Sequence, residues 1–140
     1  MFSSETKIKV RYAETDMMGV VYHANYLIWM EIGRTELVQN LGLSYRDMED
    51  GGYVSPVIDI QVSYKRSARY GDEVTVITKI DYYDSIRTKY GVEIYNQKNE
   101  LLCTAKVENI LVNKENFRPT SLRKAFPNWH EIYEKNKIHE

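Results

Sequence analysis

The feature that most constrains the fold is one long amphipathic helix followed by a run of strands joined by short polar turns. Between residues 25 and about 41, apolar residues recur every three or four positions, which is typical of a helix with one buried face. Downstream the period changes to two over four segments. Such consecutive strands predict an antiparallel meander. Because only one long helix is available to cover the sheet, we expect the sheet to wrap around it.

The predicted elements run as strand, long helix, short helix, four strands and tail. Gly42 is placed to end the long helix, and Ser44 is placed to cap a short second one. The sequence from residue 116 is polar, and a terminal helix is predicted over 128–137. The predicted strands cover residues 6–11, 58–65, 73–83, 86–96 and 101–113. The strand at 58–65 alternates cleanly, so we expect it to be half buried.

The long helix predicts two packing features. Its buried face should carry Tyr26, Met30, Gly33, Leu37 and Leu41. Since Gly33 has no side chain, another element should pack closely against the helix backbone there. The far side of the helix and one sheet edge stay poorly covered in a monomer, and a homodimer that pairs edge strands would cover both.

Composition and charge narrow the class of protein. The 140 residues suit one domain over 1–140, with its core over about 7–113, and 43% hydrophobic with 28% charged residues is typical of a globular chain. The net charge of −1 argues against nucleic acid as a partner. The single Cys103 rules out an intramolecular disulfide. Three scattered histidines give no metal-ligand spacing, so no metal site is expected.

Several motifs of targeting and catalysis are missing from the sequence. No apolar signal segment and no stretch able to span a bilayer is found, so we expect a cytoplasmic protein. No G-x-S-x-G motif and no phosphate-cradling glycine loop is present. Nucleotide hydrolysis and dinucleotide binding are therefore disfavoured.

The segment from 11 to 34 carries the candidate chemistry. It sets one acid, Asp16, on a loop that contains Gly19, and His23 follows where the long helix begins. Free N–H groups at a helix N-terminus point at a developing oxyanion, and the helix dipole favours negative charge. An acid beside that terminus is suited to acyl chemistry.

The motif around this acid resembles a known family. The pattern D-x-x-G-x-V-x-x-x-x-Y occurs at Asp16, Gly19, Val21 and Tyr26 and is similar to that of the 4-hydroxybenzoyl-CoA thioesterase family of hot-dog proteins. With Tyr12 before the acid and YHANY after it, the segment resembles the bacterial short-chain acyl-CoA thioesterase branch. The resemblance spans about 7–113.

The resemblance implies both a fold and an activity. The fold is the α+β hot-dog fold, an antiparallel sheet wrapped around one long central helix, with dimers often pairing into tetramers. The activity is hydrolysis of an acyl-CoA thioester to free acid and CoA, without metal or organic cofactor. A thioester carried on acyl carrier protein is an alternative substrate, and a non-catalytic acyl-CoA-binding adaptor is an alternative function.

The resemblance also implies residue roles. Asp16 would be the nucleophile or the general base, and sequence does not separate the two. The backbone N–H of His23 would polarise the carbonyl, while its imidazole would orient water or protonate the leaving thiolate, unless it merely caps the helix. The Tyr12 hydroxyl would bond the acid or the acyl oxygen, or else the ring only packs. Gly19 would let the backbone approach the substrate.

Basic residues are candidates to bind the phosphates of CoA. Lys65, Arg66 and Arg69 form one cluster, and Arg87 with Lys89 forms another. In the family, basic residues on the later strands serve this purpose, which favours Arg87 and Lys89. Ordinary solvated charge is the alternative for any single one of them.

Overall fold

The computed structural model describes residues 2–138. The strands are β1 (Ser3–Lys9), β2 (Tyr53–Val54), β3 (Val57–Tyr64), β4 (Glu73–Tyr83), β5 (Arg87–Tyr95), β6 (Leu101–Ile110) and β7 (Val112–Asn113). The α-helices are α1 (Ala24–Asn40), α2 (Tyr45–Asp50), α3 (Leu122–Ala125) and α4 (Pro127–Asn136), and a 3₁₀ turn covers Tyr12–Glu14. No helix among these residues is both long enough and apolar enough to cross a membrane.

The main sheet is antiparallel, with the strand order β1-β4-β5-β6-β3. Strands β4, β5 and β6 form the expected meander. The expectation that β3 opens this meander is wrong, because β3 pairs with β6 at the far edge. Residues 65–72 therefore cross the end of the sheet, over three strand spacings or roughly 14 Å, to reach the start of β4.

Helix α1 packs across β1 and β4 on one face of the sheet. The expected close approach at Gly33 is confirmed: a Cβ atom there would lie 2.8 Å from both Thr78 Oγ1 and Val76 Cγ1. Tyr26, Met30 and Leu37 are buried on the same face. Leu41 falls just after the helix ends and is only half buried.

Strand β3 is far more exposed than its alternating sequence predicts. Ile60 pairs with Val107 and Val62 with Ala105, so these side chains project to the side that is buried on β6. Nevertheless Ile58, Ile60 and Tyr64 are exposed, and of the inward set only Val62 is half buried. The main contacts of α1 with the sheet are to β1 and β4, at the other edge. This leaves an apolar strand at an open sheet edge.

The C-terminal segment extends the core beyond residue 113. Leu122, Trp129 and Tyr133 are buried, and Tyr133 Oη lies 2.6 Å from Tyr90 Oη. The helix expected over 128–137 is present as α4, whereas the short α3 had no sequence signal. Aromatic residues of this segment close the end of the sheet where β4 finishes and β5 begins; we call it the closed end.

Candidate active site

A tight turn holds Asp16 beside the start of α1. The Asp16 N–H donates to the Val20 carbonyl at 2.8 Å, and the Gly19 N–H donates to the Asp16 carbonyl at 3.0 Å. Gly19 has a φ of +79°, which L side chains rarely adopt, so glycine is needed for the turn itself. Asp16 Oδ1 accepts from the Met18 N–H at 2.8 Å. The other carboxylate oxygen has no donor among residues 2–138.

His23 stands immediately before α1, and its backbone leaves donors free. Within the described residues, the N–H groups of His23 and Ala24 meet no acceptor. The His23 side chain makes no capping bond, so its alternative role as a helix cap is not borne out. The imidazole is exposed and lies against Tyr22 and Tyr64, with ring centroids 4.4 and 6.3 Å away. It is therefore available to a substrate.

Asp16 and His23 open into the same cleft, which has a volume of about 300 Å³. Residues that line it include Asp16, Met18, His23, Tyr64, Lys65 and Arg66. Tyr64 was not expected in the site. Its hydroxyl donates to the His23 carbonyl at 3.1 Å, and its ring lies edge-on to Tyr26. The alternation of β3 predicts Tyr64 on the core side, but only the open edge of β3 makes it a cleft wall.

The crossing segment 65–72 brings basic residues to this cleft. The Val21 N–H donates to the Ala68 carbonyl at 2.9 Å, and the Ala68 N–H donates to Tyr26 Oη at 2.9 Å. Burial raises the pKa of Tyr26, while the Ala68 hydrogen bond opposes the rise. The Asp16 turn, α1 and the crossing segment are thus bonded together. Lys65 and Arg66 follow at the rim of the cleft.

Arg87 and Lys89 lie at the other end of the sheet. Lys65 donates its N–H to the Leu102 carbonyl near the start of β6, whereas Arg87 pairs with Ile110 at the end of that strand. The separation along the strand is roughly 25 Å. Within a single chain, Arg87 and Lys89 therefore do not line the cleft that Lys65 and Arg66 border, and their role in binding CoA stays a prediction. The direction of the strands sets this separation, and a local sequence pattern contains no information about it.

The two basic clusters also differ in their partners. Arg87 Nη1 lies 2.6 Å from Glu108 Oε2, and Lys89 Nζ lies 4.0 Å from the same carboxylate and 5.5 Å from the Tyr82 ring centroid. Arg66 pairs with Glu100 at 3.4 Å while staying exposed. Lys65 has no ion-pair partner within 2–138. Lys65 and Arg66 are thus more available to an anionic ligand than Arg87 and Lys89 are.

Tyr12 does not reach Asp16 within this chain. Its side chain is 77% exposed and packs edge-on against Tyr70, with ring centroids 5.8 Å apart. Its hydroxyl has no hydrogen-bond partner in the described part of the chain, and the ring does not line the cleft. The 3₁₀ turn directs it outward, so the predicted bond to the acid is absent here.

Comparison with known proteins identifies the family. Residues 10–130 match the profile of the Thioesterase-like superfamily. The chain belongs to this superfamily. It is 53% identical to YneP of Bacillus subtilis (strain 168), which is provisionally named an acyl-CoA thioesterase, over 98% of this chain and 99% of that protein. It is 30% identical to the acyl-CoA thioester hydrolase YbgC of Escherichia coli O6:H1, over 84% of this chain and 88% of that one.

A solved superfamily structure supports the same assignment. A crystal structure of a DHNA-CoA thioesterase from Staphylococcus aureus is 46% identical and has a TM-score of 0.94, covering 96% of this chain and 91% of that one. The expected hot-dog α+β fold and the resemblance to hot-dog thioesterases are therefore confirmed.

Proposed function

We propose that this superfamily member hydrolyses an acyl-CoA thioester to a free acid and CoA, with Asp16 as the catalytic carboxylate. The observation that carries the proposal is that Asp16 and the free N–H of His23 border one cleft at the start of α1. The turn fixes one carboxylate oxygen and leaves the other without a donor among residues 2–138. A carboxylate and free N–H donors that border one cleft meet the needs of acyl transfer to water.

The chemistry can follow either of two routes. Asp16 takes a proton from water so that hydroxide attacks the thioester carbonyl, or its carboxylate attacks directly and water then cleaves the anhydride. In both routes the carbonyl oxygen becomes an oxyanion that accepts from the His23 N–H. The C–S bond breaks, and the CoA thiolate leaves with a proton that the His23 imidazole can donate. Lys65 and Arg66 bind the phosphates of CoA at the rim.

Hydrolysis of a substrate panel tests this activity. Purified protein is incubated with acetyl-, butyryl-, palmitoyl-, benzoyl- and DHNA-CoA, and the released thiol is measured. DHNA-CoA is included because the Staphylococcus aureus relative is named for it. We expect turnover of at least one member, and roughly 10²- to 10⁴-fold less turnover by Asp16→Asn. A folded protein that hydrolyses no member would favour the non-catalytic adaptor.

Acyl carrier protein remains a second candidate for the thioester carrier. The cations Lys65 and Arg66 lie exposed at the cleft mouth, which suits an acidic carrier. Competition between the same acyl group on CoA and on the carrier decides between them. Preference for the carrier would show as a higher kcat/KM for the acyl group on the carrier than for the same group on CoA, measured at low ionic strength.

The proposed enzyme works as a homodimer, and a pair of dimers would form the tetramer implied by the resemblance. Support comes from the open edge of β3, whose Ile58 and Ile60 are exposed, and from Ile28 and Ile32 on the outer side of α1. Light scattering of the purified chain should give the dimer mass or a multiple of it. Ile60→Lys should yield monomer. A cytoplasmic location is also part of the proposal, and cell fractionation tests it.

A further inference from the structure

Glu14 is a buried carboxylate close to Asp16 that the reaction itself does not use. The residue is 3% exposed, and both of its carboxylate oxygens accept hydrogen bonds. Oε1 accepts from the Arg11 backbone N–H at 2.8 Å, and Arg11 Nε lies 3.6 Å away. Oε2 accepts from Trp29 Nε1 on α1 at 2.9 Å. The carboxylate thus faces the interior, away from the cleft that Asp16 lines.

The backbone of Glu14 is also bonded to the helix region. Its carbonyl accepts from the Tyr22 N–H and from Asn25 Nδ2, both at 2.9 Å. The turn of residues 15–21, which carries Asp16, closes directly after it. Glu14 therefore joins the segment before the turn, the residue after it and the first turns of α1.

A carboxylate is the group that this position requires. Two N–H donors converge on the side chain, one on each oxygen. A glutamine at position 14 would keep one acceptor but turn an NH₂ group toward the other N–H. A buried donor left facing a donor is unfavourable, and the segment would have to move to relieve it.

We propose that Glu14 is a positioning residue, whose bond to Trp29 holds the Asp16 carboxylate at the right separation from the His23 N–H. The inference rests on the proposed function, because it assigns Glu14 a role through Asp16. Glu14 does not line the cleft. A shift of about 1 Å in a catalytic group can cost roughly 10²-fold in rate. Loss of the bond should therefore lower kcat more than it changes substrate binding.

Glu14→Gln and Trp29→Phe test the two halves of this bond. We expect kcat for the best acyl-CoA to fall roughly 10- to 100-fold in each variant, with KM within about twofold of wild type. Matched controls are Glu5→Gln, at an exposed acid on β1, and Trp129→Phe, at a buried tryptophan of the closed end. Both controls should keep wild-type kcat.

Two results would overturn the inference. Wild-type kcat in both Glu14→Gln and Trp29→Phe would do so while leaving the proposed function intact. So would a loss of kcat that matches the unfolded fraction seen by circular dichroism and disappears at low temperature. If Glu14→Gln does not fold, Trp29→Phe decides by the same kcat and KM criteria.

A double-variant cycle separates this inference from the proposed function. Residual hydrolysis by Asp16→Asn is measured with enzyme in excess over substrate. The same measurement is then made on the double variant that also carries Glu14→Gln. Because Glu14 acts through Asp16, the second change should cause no further loss, and a full additive loss would contradict the role. Wild-type turnover by Asp16→Asn alone would instead overturn the proposed function, and the inference with it.

Discussion

The two ends of the sheet differ in how tightly they are packed and in whether their polar groups have hydrogen-bond partners. At the closed end, side chains of α2, α4 and the sheet surround a cavity of about 20 Å³, enough for roughly one water molecule. Tyr90 and Tyr133 bond each other there, and Trp129 is buried against Tyr133. At the cleft end, the space is about 300 Å³, and the Asp16 carboxylate and the His23 N–H keep free bonding capacity.

We therefore expect the closed end to contribute mainly to stability and the cleft end to carry the reactive groups. At the closed end, Tyr90 bonds Tyr133 and the Tyr83 hydroxyl bonds His130 Nδ1, as buried hydroxyls require. Burial raises the pKa of Tyr83 there to about 12. The cleft end holds its polar groups with backbone bonds and leaves atoms free toward a ligand. Mutations at the two ends should accordingly change different measurements.

Asp16→Asn should have the largest effect on rate. Removal of a positioned acid–base group costs roughly 10²- to 10⁴-fold, and we expect kcat/KM to fall by that amount. The melting temperature should stay within a few degrees of wild type, since the asparagine oxygen can still accept from the Met18 N–H. A variant that hydrolyses acyl-CoA normally would remove Asp16 from the mechanism.

Trp129→Ala should have the largest effect on stability. Removing a buried tryptophan costs about 3–5 kcal/mol, measured by urea unfolding. The kcat of the folded fraction should be unchanged, because Trp129 belongs to the closed end. If kcat fell in fully folded protein, the two ends would be coupled and the comparison would fail.

His23→Ala should reduce the rate less than Asp16→Asn does. The backbone N–H survives the substitution, and only the imidazole that faces the cleft is lost. We expect about a tenfold drop in kcat, which corresponds to ~1.4 kcal/mol of transition-state stabilisation. If His23→Ala had the same kcat as wild type at every pH between 5 and 9, the His23 side chain would take no part in the reaction.

Neutralising the basic pairs should have the smallest effect, and the two pairs should differ in their effect on KM. The variants are Lys65→Gln/Arg66→Gln and Arg87→Gln/Lys89→Gln. The first pair lines the cleft, so KM for acyl-CoA should rise several-fold and the difference should shrink in high salt. The second pair lies beside Glu108 at the opposite end of the same chain, so KM should not change if the chain that supplies Asp16 also binds the phosphates. An increase for the second pair alone would reverse the assignment of the phosphate site.

The sequence by itself determined the parts of this protein that depend on neighbouring residues. Hydrophobic periodicity predicted α1 and most strands to within a few positions, and the missing side chain of Gly33 predicted a close contact. The contiguous motif from Asp16 to Tyr26 predicted the superfamily and located the cleft. Each signal is local, because side-chain periodicity and turn geometry act over a few residues.

Only the tertiary structure decided which distant segments meet. Strand β3 joins the sheet beside β6, and this choice sends Lys65 and Arg66 to the cleft while Arg87 stays remote. The same folding buries Glu14 against Trp29, although a lone acid in a loop carries no sign of burial. Pairing across long stretches of chain is set by the packing of the whole core, and no short window of sequence contains that information.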